Sequence, residues 1–153
     1  MQSPGRAIHV DVTRQTLELW EDGEVLESFP ISTSSYGLGS EPGSNKTPLG
    51  SFEIAEKIGD GAPSGMIFRS RVPTGEIGTE GEQGDFVQTR ILWLHGLEEH
   101  NANAYERYIY IHGTNHESQI GTPASHGCIR MRNDDVIRLF DAVEPGTPVF
   151  IQP

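Results

Sequence analysis

A single cysteine, Cys128, lies in the stretch TPASHGCIRM (122–131), with His126 two residues before it, Gly127 immediately before it and Arg130 two residues after. A thiol attacks as the thiolate, and its ordinary pKa of about 8.5 calls for a neighbouring base or cation near neutral pH. Two histidines are placed to serve. His126 is close in sequence, whereas His112 ends the stretch RYIYIHG (107–113) sixteen residues upstream. His112 is the better candidate base, because a strand end is a rigid platform from which an imidazole meets a thiol delivered by a loop, and proximity in sequence alone does not align a proton transfer. An imidazole working through one nitrogen needs its other N–H held by an acceptor. No Asp or Asn directly adjoins His112, so the Gly113 carbonyl is the expected partner.

Gly127 permits a tight turn and leaves room for a substrate carbonyl to approach. Its amide and that of Cys128 form a candidate oxyanion hole, in which one donor is typically worth about a hundred- to a thousandfold in rate. Arg130 offers a planar fork suited to gripping a carboxylate at two points. Together these residues suggest a peptide-like acyl donor bearing carboxylates. A lone cysteine is more often buried filler than nucleophile, but Ser125-His126-Gly127 before it and His112 upstream reverse that balance. His9, His95, His100 and His116 are read as ordinary surface or core histidines, with His95 and His116 the nearest to exceptions, and Trp20 and Trp93 as core aromatics. His112, His116, His126 and Cys128 are also possible zinc ligands. Their spacing matches no zinc finger, and the H-x-x-x-H lacks the glutamate and helix of a metalloprotease. No metal or other cofactor is expected.

These residues must be carried by a mostly β framework. Ile8, Val10 and Val12 alternate with polar residues, as do Leu17 and Leu19, and Asp22-Gly23 supplies a hairpin turn before VLESFPIS. A meander at the N-terminus follows. GSFEIAEKI, TRILWLHG (89–96), RYIYIHG and TPVFI read as further strands. In RYIYIHG, period 2 puts Ile109 and Ile111 on one face, with Tyr108, Tyr110 and His112 on the other. RNDDVIRLFDAVEPG predicts one helix after the cysteine, with Asn133 as N-cap, a stripe of Val136, Ile137, Phe140 and Val143, and Pro145-Gly146 as its stop. The glycine-dense segment 59–84 shows no periodicity and is expected to run over the surface as a long loop, with a role as a lid or substrate wall. The sum is a mainly β sandwich or curled sheet with one helix near the C-terminus.

A chain of 153 residues suits a single domain, 1–153. With 11 basic against 22 acidic residues and a formal charge of −11, it would repel a phosphate backbone, so nucleic acid is not an expected partner. No stretch is long and apolar enough for a membrane helix, and one cysteine excludes an internal disulfide framework. The opening MQSPGRAIHV lacks the basic and apolar regions of an export signal. Read as a native start, it predicts a soluble cytoplasmic monomer; a removed signal would place the domain in the periplasm.

The stretch IHGTNHESQIGTPASHGCIRM resembles the active-site signature of the L,D-transpeptidase (YkuD-domain, ErfK/YbiS-like) family, and NKTPLGSFEI (45–54) resembles its second recurrent stretch. The resemblance spans nearly the whole chain. It implies a YkuD-type β-sandwich whose cysteine attacks the L-centre carbonyl of diaminopimelate in a peptidoglycan tetrapeptide stem and expels D-alanine. The acyl group then passes to an amine, giving a 3-3 crosslink or an anchored lipoprotein, or to water, as in an L,D-carboxypeptidase that trims recycled muropeptides. By motif position the nucleophile is Cys128, the base His112 oriented by the Gly113 carbonyl, and the substrate and oxyanion wall Ser125, His126, Gly127 and Arg130. Covalent capture by a carbapenem is a related expectation. A muropeptide-binding domain without turnover and a zinc hydrolase are the readings from other classes.

Overall fold

The structure is a computed structural model that describes residues 5–81, 84 and 86–153. Its strands are β1 (Arg6–Asp11), β2 (Thr16–Glu21), β3 (Glu24–Ser32), β4 (Gly50–Ile58), β5 (Met66–Arg69), β6 (Val72–Ile77), β7 (Val87–Gly96), β8 (Tyr110–Gly113), β9 (Ile129–Met131) and β10 (Pro148–Gln152), with one helix, α1 (Asn133–Ala142). The N-terminal meander forms as its alternation predicts. Ile8, Val10, Leu17, Leu19, Phe29 and Ile31 are buried, and the β2–β3 turn places Asp22 and Gly23 at φ 51° and 83°. Positive φ at both central residues matches the right-handed twist of the flanking strands.

The strands form one mainly β sheet in the order β4-β10-β1-β2-β3-β9-β8-β7-β5-β6, and β4 also pairs with β7. That second pairing curls the sheet back on itself around the main core, leaving the β5–β6 hairpin as an outer extension of β7. Period 2 then sorts β7 and β8. Leu92, Leu94 and Ile111 enter the main core with Phe52, Met131 and the helix, while Ile91, Trp93 and Tyr110 build a second cluster with Phe68 on the opposite face. Cys128 packs against this second cluster.

Four local expectations are corrected. Segment 59–84, of which residues 82 and 83 lie outside the described residues, contains a hairpin with one register shift: Met66, Phe68 and Arg69 pair with β6, and Ile67 and Phe68 pair with Gln88 and Val87 of β7. The exposed β6 buries no face, so its sequence carries no alternation to read. In RYIYIHG the strand starts only at Tyr110, because Tyr108 takes φ 58°, a left-handed conformation that breaks extension. In α1 the buried stripe is Val136, Leu139, Phe140 and Val143, the i, i+3, i+4, i+7 set, with Ile137 only half-buried. Asn133 is the first helical residue rather than the cap, and its N–H donates to Glu117 Oε2 at 2.7 Å. A carboxylate from a distant 3-10 turn (Glu117–Gln119) thus satisfies the helix end and complements its dipole. Strand β9, three residues long, carries too short a pattern to be foreseen.

Candidate active site

Parallel pairing of β8 with β9 aligns Ile111 with Ile129, His112 with Arg130 and Gly113 with Met131. Cys128, the residue before β9, therefore comes level with Tyr110. The Tyr110 N–H donates to Cys128 Sγ at 3.3 Å, and the thiol donates to the Tyr108 carbonyl at 3.2 Å. The left-handed turn at Tyr108 aims that carbonyl, an example of local strain held at a site by its surroundings. His112 stands on the next strand, one strand spacing of about 4.8 Å across and two residues, about 6.6 Å, along. Both side chains belong to the face of β8 and β9 away from Ile111 and Ile129.

His112 is 3% exposed, its ring edge-on to Tyr110 with centroids 6.5 Å apart. Its Nδ1–H donates to the Gly113 carbonyl. A carbonyl only accepts, so Nδ1 carries the proton and Nε2 is the nitrogen with a lone pair in the neutral ring. The acceptor is itself held. An added Cβ on Gly113 would collide with Asn133 Oδ1 and lie 2.7 Å from the Gln88 carbonyl oxygen. Asn133 accepts from Thr89 Oγ1 and from Gln88 Nε2, and donates to the Thr114 carbonyl at 3.0 Å and to Glu117 Oε2 at 3.2 Å. Opposite, β7 shifts register between Gln88 and Ile91, with Thr89 at φ 76°. This bulge turns the Thr89 hydroxyl onto Asn133, as bulges beside functional sites often re-aim a side chain.

The loop before the cysteine is tied from both sides. Gly127 adopts φ 124°, a region that favours glycine. Ser125, 1% exposed, donates to the Cys128 carbonyl at 2.6 Å and accepts from the Gly127 N–H at 3.3 Å. Thr47, from the second recurrent stretch, donates to the Gly127 carbonyl at 3.0 Å and accepts from the Ser34 N–H at 2.9 Å. His126 is exposed, its ring 5.7 Å from that of Tyr36. Arg130 is 2% exposed and donates to Gln119 Oε1 at 3.2 Å, which places it beneath the site. The structure thus gathers His112, Gly113, Ser125, Gly127 and Cys128, and turns His126 outward.

Residues not singled out from sequence complete the surroundings. Arg107 donates to the Lys46 carbonyl at 2.7 Å and to the Gly39 carbonyl at 3.4 Å, and the Lys46 carbonyl lies 3.4 Å from where a Cβ on Gly127 would be. Burial holds the Arg107 guanidinium below its ordinary range, while the charge Cys128 carries when ionised, and then that of Glu41, pull it back up. Beside the thiol's two backbone partners lies an open cavity of about 310 Å³, walled by Phe68, Arg71, Ile91, Tyr108 and Tyr110 among others. Burial raises the Tyr110 hydroxyl pKa, opposed by its hydrogen bond from Arg71. Of these residues Lys46 and Thr47 lay in a motif and Asn133 was read only as a helix cap; Arg71, Arg107 and Asn133 reach the site through tertiary contacts between distant segments.

The other histidines have separate surroundings. His9 packs between Trp20 and Phe150, His95 faces Glu53, His100 donates to the Leu49 carbonyl, and His116 donates to the Gly84 carbonyl. Among the described residues no group of three or more His, Cys, Asp or Glu converges as a metal site. Among them also, no helix is long and apolar enough to cross a membrane.

A family model of the L,D-transpeptidase catalytic domain matches residues 5–151. The chain belongs to the L,D-transpeptidase catalytic-domain family. A Bacillus subtilis relative named as an L,D-transpeptidase, YkuD, is 31% identical over 144 residues, covering 94% of this chain and 64% of its own length. A Bacillus licheniformis relative of the same name is 30% identical over 146 residues, covering 95% and 65%. The chain thus spans slightly under two thirds of the length of these two relatives. Among solved structures, L,D-transpeptidase 3 from Mycobacterium tuberculosis, in complex with a faropenem-derived adduct, has a TM-score of 0.65 at 19% identity and covers 99% of this chain and 61% of its own. An L,D-transpeptidase from Mycobacterium smegmatis has a TM-score of 0.62 at 20% identity, covering 97% and 59%. The mainly β fold read from the residues, and the L,D-transpeptidase fold that the resemblance implied, are therefore the fold found.

Proposed function

We propose that this L,D-transpeptidase domain works through a Cys128 acyl-enzyme, cleaving the bond between the L-centre of the third residue, diaminopimelate, and D-alanine in peptidoglycan tetrapeptide stems. The observation that carries this reading is the placement of Cys128, just before β9, on the same face as a buried His112 of the neighbouring β8, with the His112 Nδ1–H held by the Gly113 carbonyl. His112 Nε2 takes the thiol proton as Sγ attacks the donor carbonyl carbon. The carbon–nitrogen bond then breaks, and His112 returns the proton to the departing D-alanine amine. The acceptor, an amine or water, repeats the cycle in reverse and frees the thiol.

The developing oxyanion is served by the amides of Cys128 and Gly127. The Gly127 N–H is held by Ser125 Oγ at 3.3 Å, long for such a bond, so an incoming oxyanion competes for it readily. Acceptor and compartment belong together in this proposal. A domain that reaches the assembled wall meets amines and makes 3-3 crosslinks, whereas one confined to the cytoplasm meets recycled stems and water. The protein acts as a monomer on stems or muropeptides.

Incubation of the protein with a purified disaccharide tetrapeptide, followed by mass spectrometry, tests the reading. Loss of D-alanine or formation of dimers, with neither from Cys128→Ala, is expected. Stem binding without turnover would select the non-catalytic reading, and activity that depends on added zinc would select the hydrolase.

A further inference from the structure

The donor in the proposed reaction is an anion: its terminal D-residue ends in a carboxylate, and the side chain of diaminopimelate ends in another. The protein is itself acidic, with a formal charge of −11. Its long-range field therefore opposes such a donor, and binding calls for a local cation at the site. Arg130, the cation nearest in sequence, is 2% exposed and engaged with Gln119.

A different arginine faces the cavity. Arg71 occupies the two-residue tip of the β5–β6 hairpin, where Ser70 and Arg71 take φ 48° and 67°. Its guanidinium sits 4.9 Å from the Trp93 ring centroid and 5.2 Å from that of Tyr108, and donates to the Tyr110 hydroxyl at 3.2 Å. The platform beneath it is rigid. Trp93 stacks on Tyr105 at 4.0 Å, almost parallel, and meets Tyr110 edge-on at 5.5 Å. The Trp93 indole N–H donates to the Tyr105 carbonyl at 3.0 Å. Two of these platform residues, Tyr108 and Tyr110, are the ones whose main chain bonds the Cys128 thiol.

The guanidinium carries five N–H donors, and among the described residues one bond, to Tyr110, is made. No carboxylate of a described residue pairs with it. The hydrogen bond to Tyr110 raises its pKa further, against the effect of burial, so the charge is permanent. Of the residues lining the cavity, Arg71 is the one that bears a charge. A flat, preoriented cation with unused donors over a cavity walled by the two tyrosines whose main chain bonds the thiol has the chemistry of a two-point carboxylate receptor.

We infer that Arg71 is a specificity-determining residue that anchors a carboxylate of the acyl donor in the cavity beside Cys128. This rests on the acyl-donor reading above, and it assigns the β5–β6 hairpin a recognition function. The carboxylate belongs either to the departing D-residue or to the side chain of the third residue, and the two give different outcomes below.

Steady-state kinetics are measured for wild type, Arg71→Gln and Arg71→Lys with three donors: the tetrapeptide, its C-terminal amide, and the stem amidated on the third residue's side-chain carboxylate. Charge-assisted bonds predict that wild type discriminates against one amide by about tenfold or more in KM, and that amide names the carboxylate held. Arg71→Gln should raise KM for the acid by a similar factor, change kcat by less than about threefold, and abolish the discrimination, with Arg71→Lys retaining part of it. Equal KM for all three donors in wild type, or discrimination that survives in Arg71→Gln, overturns the inference.

A second readout is independent of stem turnover. The rate of Cys128 acylation by a carbapenem and by its methyl ester is followed by intact mass, as Sγ bonds to the lactam carbon, the lactam C–N bond breaks and the thiol proton passes to nitrogen. The acid-to-ester rate ratio should fall toward one in Arg71→Gln. If stems are not turned over but this ratio falls, the stem reading fails and the carboxylate anchor stands; an unchanged ratio rejects the anchor. Thermal unfolding confirms that both variants are folded.

Discussion

The Thr47 hydroxyl donates to the Gly127 carbonyl at 3.0 Å while accepting the Ser34 N–H at 2.9 Å. One fully buried side chain thus joins the two recurrent stretches of the sequence, and it sets the backbone immediately before the nucleophile. Thr47→Val keeps the shape and removes both bonds. Stranding the buried Ser34 N–H should cost about 1–3 kcal/mol in urea unfolding. The loosened loop should also slow Cys128 acylation, and a stability loss with an unchanged acylation rate would assign Thr47 to the fold alone.

Removal of the base separates the two histidines near the thiol. His112→Asn should lower the acylation rate by about a hundred- to ten-thousandfold. His126→Asn changes an exposed ring that packs on Tyr36, and should cost far less. Single-turnover acylation read by mass spectrometry ranks the pair, and the reverse order would make His126 the base.

Gly113 is constrained by space. A methyl there meets Asn133 Oδ1, the centre of a part-buried hydrogen-bonded hub, and the Gln88 carbonyl. Gly113→Ala should therefore destabilise the domain by about 1–3 kcal/mol, through overpacking. It should also displace the carbonyl that orients His112. Asn133→Asp, which cannot donate to the Thr114 carbonyl, is expected to lower stability while leaving the glycine uncrowded. Chemical denaturation of both variants separates crowding from loss of the hub.

Arg107 is the cation whose charge the Cys128 thiolate favours, and coupling between two charges is mutual. The sign follows directly. Arg107 stabilises the anionic thiolate, so Arg107→Gln should move the midpoint of the pH profile for Cys128 alkylation upward. Near neutral pH the rate falls, and well above the midpoint the two proteins converge. A parallel drop at every pH would point instead to displacement of the loop that Arg107 ties through the Lys46 carbonyl.

Much of the fold was legible where one face of an element is buried and the other is not. The meander, β4 and β10 carry their own alternation, β7 is read from its continuous apolar run, and Asp22-Gly23 marks its turn by residue type. Legibility failed where no such contrast exists. The hairpin tip at Ser70-Arg71 lacks glycine, the short β9 is wholly buried, and Tyr108 holds a left-handed conformation that its type does not favour. Leu139 rather than Ile137 faces the core because the helix rotates to satisfy i, i+3, i+4, i+7 as a set.

Residue chemistry and local order were enough to name the lone thiol, the imidazole that ends a strand and the glycine between serine-histidine and cysteine, because each depends on type and short spacing. What surrounds them depends on which distant segments meet. Parallel pairing of β8 and β9 set His112 beside the cysteine strand, and the β7 bulge with Asn133 held its carbonyl partner. Curling of the sheet brought Thr47 onto Gly127 and Arg107 onto the Lys46 carbonyl, while the hairpin carried Arg71 over Trp93. Those contacts join residues tens of positions apart, and their partners are selected by sheet closure and side-chain packing, which no local pattern encodes.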